Sequence, residues 1–307
     1  MNWKLRFLLW FVNNVQPIRK IDVSKLDVER KNVLRASELG KILFDRKIPI
    51  RVIKDFKIEN IPVRLYKQSD KKNQKVILYF HGGGFVLYNI ESHDYVCRRL
   101  CAMNDCIVIS VDYRLAPEHA FPAAHEDAYK VIEHVAKNAT DYNIDASKII
   151  VAGDSAGGNI AACAAHHFKK HPTIRLAAQV LIYPWIDGKL TSKSIENYSN
   201  GYLLTKETMH WFQEQYTPKV EDRLNPLVSP IYQKDFKNLA PTFILTAEYD
   251  PLKDDGAAYA EVLKKNGNIV LYKDYKKLIH GFFNLPKLAS ESMQSYYDIQ
   301  AFIKKTV

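Results

Sequence analysis

Four cysteines in 307 residues, at positions 97, 101, 106 and 163, are too few and too unevenly spaced for a disulfide framework, and a chain of this length does not need one. That usage fits a reducing cytoplasm. Cys97, Cys101 and Cys106 lie close together, but a metal site needs a fourth ligand and none is evident. The run "CIVISVDY" reads as a buried strand, so the reading is buried free thiols and no metal. Long apolar runs are missing too, since none approaches the ~20 residues of a membrane span. The start, "MNWKLRFLLWFVNN", holds only a short apolar stretch among Lys4 and Arg6 and has no small-residue cleavage site behind it, so it reads as a retained segment. There is no repeat, no low-complexity tract and no linker composition.

What is present is a globular composition, 47% hydrophobic and 12% aromatic, sufficient for one sizeable core. The net charge of +10 is unevenly placed. Residues 1–75 carry 19 Lys and Arg against 8 Asp and Glu, and the remaining residues 25 against 26, so the excess is wholly N-terminal. No nucleic-acid motif or set of stacking aromatics accompanies it, which excludes a nucleic-acid partner. The excess reads either as a solvated face or as peripheral contact with an anionic membrane surface. If residues 3–12 are helical, Trp3, Phe7, Trp10 and Phe11 fall along one side, with Leu5, Leu8, Leu9 and Val12 widening it. Such a face packs on a cap or lies in a lipid interface.

"RVIKDFKIENIPVRLYK" alternates apolar and polar residues about "ENIP", as a hairpin does. Short runs rich in Val, Ile and Tyr follow: "KVILYF", "CIVISVDY", "KIIVAGD", "LAAQVLIYPW", "PTFILTAEYD" and "NIVLYKDY". Between them, "AHEDAYKVIEHVAKNA" and "SAGGNIAACAAHHFKK" have helical spacing. This alternation predicts an α/β fold, a mostly parallel central sheet covered by helices on both faces, with chemistry at the carboxyl ends of the strands. Residues 187 to about 226 break the rhythm. They read as helices and loops without a strand, an insertion long enough to serve as a lid.

Gly153 to Gly157 fit G-x-S-x-G between a strand and a helix, the nucleophile elbow, with Ser155 at its tip. A side chain at 153 or 157 would collide with neighbouring backbone in so tight a turn. A serine hydroxyl needs a base, and the base needs an acid to hold its tautomer. Asp250 ends "FILTAEYD" and His280 follows the last strand, in the order Ser, Asp, His. Asp254 and Asp255 compete with Asp250 but open the next helix, where acids serve as caps. His166, His167 and His171 read as surface residues of one helix. "YFHGGGF" follows a strand, and consecutive glycines let backbone N–H groups approach an oxyanion. The donors are assigned to Gly83, Gly84 and Ala156, with Gly82 at the edge, while His81 braces the loop.

"HGGGF", "DYRLAPEHAFPA", "GDSAGGN", "YDPLKDDG" and "HGF", in this order, resemble the hormone-sensitive lipase-like esterases of the α/β-hydrolase superfamily, from about residue 51 to the C-terminus. The resemblance implies a carboxylesterase with a Ser155–Asp250–His280 triad, an HGGG oxyanion loop, no cofactor, and a helical cap. The cap would comprise residues 1–50 and the insertion at about 187–226, on a catalytic domain of residues 51–307. In "DYRLAPEH", Arg114 and Glu118 read as braces of the turn. The substrate expected is a small acyl ester. The same triad also serves deacetylation or amide hydrolysis, and the resembling plant gibberellin receptors bind without catalysis, marked by loss of the histidine that here is His280.

Overall fold

The computed structural model describes residues 1–14 and 23–307, so the part of the expected N-terminal helical region at 15–22 lies outside the described residues. Among them, eight strands form one sheet in the order β1-β2-β4-β3-β5-β6-β7-β8. The strands are β1 (Val52–Ile58), β2 (Ile61–Lys67), β3 (Gln74–Phe80), β4 (Ile107–Val111), β5 (Ile144–Asp154), β6 (Leu176–Ile182), β7 (Thr242–Tyr249) and β8 (Val270–Ile279). The predicted hairpin is β1–β2, paired antiparallel to Ile58↔Ile61, and its turn residues Glu59 and Asn60 both have positive φ, as a two-residue hairpin requires. β2 joins β4 antiparallel, and the remaining pairs are parallel. All six strand runs read from the sequence are strands.

Alternate residues of the central strands supply two separate cores. Val76, Leu78 and Phe80 of β3 pack on one face with α4 (Ala123–Lys137), α5 (Ala156–Phe168) and α8 (Lys253–Lys265). Ile77 and Tyr79 pack on the other with α3 (Asp94–Asn104) and α9 (Ser290–Thr306). This two-residue alternation, apolar in both phases, is what a sheet buried on both faces demands. Cys97, Cys101 and Cys106 belong to the second core, and all four cysteines are buried and unpaired.

From β3 the chain moves outward to β4, then crosses back to β5 on the other side of β3. The loops that follow β3 and β5 therefore diverge and open a crevice at the carboxyl ends of the strands. The segment 187–226, with α6 (Lys193–Asn197), α7 (Lys206–Tyr216) and no strand, meets that end where Phe212 packs on Gly84, and of two N-terminal helices α1 (Trp3–Asn14) packs on Ile279 while α2 (Leu26–Phe44) reaches the Val86 carbonyl.

The single expected face of α1 is in fact two. Leu5 and Leu9 are buried against Ile279 and Leu288, whereas Trp3, Phe7, Trp10 and Phe11 point outward, 73%, 58%, 56% and 39% exposed. The reason is angular: at 100° per residue Leu5 and Leu9 lie nearly opposite the aromatics. The side chain of Val12 is outside what is described. Among the described residues, no helix is long and apolar enough to cross a membrane.

Candidate active site

β5 ends at Asp154, α5 begins at Ala156, and Ser155 between them has φ 54° and ψ −114°, a backbone conformation that costs a non-glycine residue energy. The neighbours enforce it. A Cβ on Gly157 would fall within the carbonyl oxygen of Phe80, and one on Gly153 within the backbone of Gly157. The Ser155 N–H donates to the Ile182 carbonyl at 2.9 Å, and its own carbonyl accepts from Trp185 N–H at 3.2 Å, fixing the elbow to the end of β6. Ser155 is 9% exposed, nearly buried.

Across the crevice runs the glycine loop after β3. Gly83 and Gly84 have φ of 115° and 62°, where a side chain would be strained, and a Cβ on Gly84 would enter the ring of Phe212 from α7. Among the described residues, no acceptor takes the N–H of Gly83, Gly84 or Ala156. Gly82 differs: its N–H donates to Asp154 Oδ1 at 3.0 Å. The same carboxylate accepts from Tyr79 Oη at 2.8 Å and faces His93 Nε2 at about 3.3 Å. Asp154 is buried, yet these partners, His93 foremost, hold its carboxyl below the ordinary range against desolvation. Its side chain thereby joins the elbow to the glycine loop. His81 contacts the Gly82 carbonyl through Nδ1 at 2.7 Å and stacks on Tyr113. Burial pushes its imidazole down to about 3, a neutral brace.

Tyr249 and Ile279 are partners in the β7–β8 pair, so the next residue on each strand, Asp250 and His280, meets the other. His280 Nδ1 lies 2.8 Å from Asp250 Oδ2, and Asp250 Oδ1 accepts from Leu252 N–H at 2.8 Å. Asp250 is fully buried. The competing acids lie elsewhere: Asp254 accepts from Ser194 N–H in the insertion, and Asp255 sits buried beside Asp187 and Ser192. The ring of Tyr183 stands 4.5 Å from that of His280, and Tyr183 N–H donates to the Leu245 carbonyl at 2.6 Å. Ser155, Asp250 and His280 thus stand at the carboxyl ends of β5, β7 and β8, with Tyr183 of the intervening β6 end between them.

Some expectations need correction. His166 is buried, with Nε2 2.9 Å from Tyr259 Oη, and of that group only His167 is exposed, stacked on Tyr129. Glu118 braces its turn through α2. It pairs with Arg30 of α2 at 2.7 Å, while Arg30 also donates to the carbonyls of Val86 and Ala116. Arg114 does brace the turn, through Asp127. Tyr183, Asp154 as a tether, and Phe212 over Gly84 are the site residues that reading by motif missed. Only Asp154 carried a signal, a carboxylate inside an apolar motif. A cavity of about 250 Å³ lies beside Met1, Lys277 and Glu291, but no triad candidate lines it.

A protein-family model described as an alpha/beta hydrolase fold matches residues 77–284. LipN of Mycobacterium tuberculosis, a carboxylic ester hydrolase, is 38% identical over 240 residues, 76% of this chain, which spans only 63% of LipN's length. An arylesterase of Saccharolobus solfataricus is 36% identical over 250 residues, 80% of this chain and 81% of its own. The hyperthermophilic esterase of the archaeon Pyrobaculum calidifontis superposes with a TM-score of 0.93 at 39% identity, covering 99% of this chain and 98% of that one.

Proposed function

We propose that this chain, which belongs to the α/β-hydrolase-fold family, is a serine carboxylesterase acting through an acyl-enzyme on Ser155. The observation that carries the reading is the His280–Asp250 pair at 2.8 Å, on the strand ends beside a serine held at φ 54°. With Nδ1 bound to Asp250, His280 has Nε2 left for the serine proton. Ser155 Oγ attacks the ester carbonyl carbon, the proton passes to His280, and Asp250 stabilises the imidazolium. The carbonyl oxygen becomes an oxyanion received by the N–H groups of Gly83, Gly84 and Ala156, the last at the positive end of α5. Collapse expels the alcohol, protonated by His280. Water, deprotonated by the same imidazole, then attacks the acyl carbon and frees Ser155.

Gly82 has no share in the oxyanion, because Asp154 holds its N–H. In this reading α1, α2 and the segment 187–226 form the cap, supported by Phe212 on Gly84 and by Leu203 next to Gly281. A fixed cap limits the acyl pocket, so short to medium chains, roughly butyryl to octanoyl, are hydrolysed faster than palmitoyl. Deacetylation of larger molecules uses the same groups and is separated by the leaving alcohol accepted. The buried, unpaired cysteines support a reducing cytoplasm as the location, and the basic excess of residues 1–75 supports peripheral contact with an anionic membrane surface.

Fluorophosphonate labelling with an acyl-ester panel tests the reading. Wild type should be labelled at Ser155 and turn over butyryl to octanoyl esters. Ser155→Ala should fold, escape labelling and lose ~10⁴ to 10⁶ in kcat. Unchanged turnover in Ser155→Ala would exclude the mechanism, and an unlabelled wild type that still binds small esters would make the chain a binder.

A further inference from the structure

α1 divides its surface between two environments, only one of which the structure supplies. Its leucine side is seated: Leu5 and Leu9 pack on Ile279 and Leu288, with Leu203 at the edge, and Asn13 donates to the Gly201 carbonyl at 3.0 Å. Its other side presents Trp3, Phe7, Trp10 and Phe11 to solvent, four large apolar side chains within about 100° of arc. Arg6 and Lys4 flank that arc, one on each side, and both are exposed. The helix contains no acidic residue. Exposed aromatics in a contiguous stripe mark an interaction surface.

We infer that the outward face of α1 docks on an anionic lipid interface, and that the enzyme draws its ester substrates from that interface. Aromatic rings bordered by cations suit the boundary between acyl chains and anionic headgroups. The charge pattern argues against a second copy of the chain. Two such faces meeting about a two-fold axis would bring Lys4 and Arg6 together with their counterparts, with no acid on either helix to pair them. One short helix binds lipid weakly when it must fold in order to bind, but α1 is already held helical by its leucine side. Membrane contact is therefore not charged with the cost of ordering it.

The position of α1 gives the contact its consequence. Ile279 beneath Leu5 and Leu9 precedes His280, and Leu203 lies against the position a Gly281 side chain would take. One helix diameter, about 10 Å, separates the docked face from the loop that carries the proposed base. An amphiphilic ester in the headgroup layer then has a short path to the crevice. This second half rests on the esterase reading; the docking does not.

The test uses the full chain and Phe7→Ser/Trp10→Ser, both exposed and outside the site. Wild type should cosediment with phosphatidylcholine/phosphatidylglycerol vesicles, less with phosphatidylcholine alone, and less as salt rises. The double variant should lose binding about tenfold or more. It should keep its turnover of soluble butyryl ester but hydrolyse a vesicle-embedded octanoyl ester about tenfold more slowly at limiting lipid. Wild type that ignores anionic vesicles, or a variant that binds them equally well, overturns the docking. A wild-type dimer that the double variant dissolves, without vesicle binding, assigns the stripe to a second copy and overturns it as well. Binding lost with vesicle-ester hydrolysis unaltered overturns the delivery. Binding retained in a chain that hydrolyses no ester at all would leave docking standing and sink the esterase reading instead.

Discussion

At the elbow corner of the site, one buried carboxylate, Asp154, gathers Tyr79, His93 and Gly82, glycines interlock with backbone, and Ser155 is held in a conformation it would not adopt alone. At the histidine corner the side chains of Asp250 and His280 pair, Leu252 N–H holds the other carboxylate oxygen, and the ring of Tyr183 and the leucine side of α1 lie alongside. In the proposed mechanism the first corner receives developing charge on an oxygen, and its donors serve only if they are in place beforehand. The second, in the same mechanism, moves a proton twice per cycle and presents a ring whose orientation one carboxylate can set. Backbone rigidity is concentrated where the proposed reaction needs fixed dipoles.

The sharpest challenge to this division is the choice of acid. Asp250→Asn should cut kcat by about 10⁴, because an amide can donate to Nδ1 and leave the wrong tautomer. Asp254→Asn should change kcat by no more than about threefold, as a residue whose contact is with the insertion. A larger loss for Asp254→Asn reverses the assignment.

Next comes the tether. Asp154→Ala leaves the N–H of Gly82 and the hydroxyl of Tyr79 without their buried acceptor, so it should lower stability by about 3 kcal/mol in denaturant titration. At temperatures where the variant is folded, kcat should also fall about 10² with KM little changed, the mark of a displaced oxyanion loop. Full kcat in a destabilised Asp154→Ala would make the tether purely structural and erase the contrast between the corners.

A smaller effect probes the contact with the insertion. Desolvation, with Asp187 and Asp250 nearby, pushes the Asp255 carboxyl up to about 7, and its Oδ2 has no hydrogen-bond partner. Between pH ~4 and 7 the folded chain keeps a proton that the unfolded chain has lost, so this group costs stability progressively as pH rises through that window. Asp255→Asn removes the titration. Its Tm relative to wild type should therefore be higher at pH 8 than at pH 5, and an offset independent of pH would show that Asp255 does not titrate there.

Least of all should Arg30→Ala matter. It loses partners on Glu118, Val86 and Ala116, with a destabilisation of about 1 to 2 kcal/mol and kcat within about threefold.

How much of this was legible in the sequence follows from the range of each interaction. The elbow, the "EN" hairpin turn and the strand runs are local, since glycine spacing, turn residues and two-residue alternation determine them. The order of Ser155, Asp250 and His280 was readable because each ends a strand. His166 was misread because helical position alone does not reveal that Tyr259, from α8, covers it. The partner through which Glu118 holds its turn was not legible because Arg30 is 88 residues away, in a helix no motif marks. On α1 the composition of the apolar surface was visible. Its division into a seated leucine side and an outward aromatic side depended on Ile279 and Leu288, from the far end of the chain.

The four buried thiols turn these contrasts into clocks. Burial raises the pKa of each, Cys101 to about 12, so none is a ready nucleophile while the fold is closed. Cys163 lies beneath the end of the insertion, its sulfur near the carbonyls of Pro226 and Leu227, whereas Cys97, Cys101 and Cys106 lie in the core on the opposite side of the sheet. An alkylating reagent therefore times two different events in a single tube. Modification at Cys163 records the lifting of the insertion's end, and modification at the other three records opening of the sheet itself.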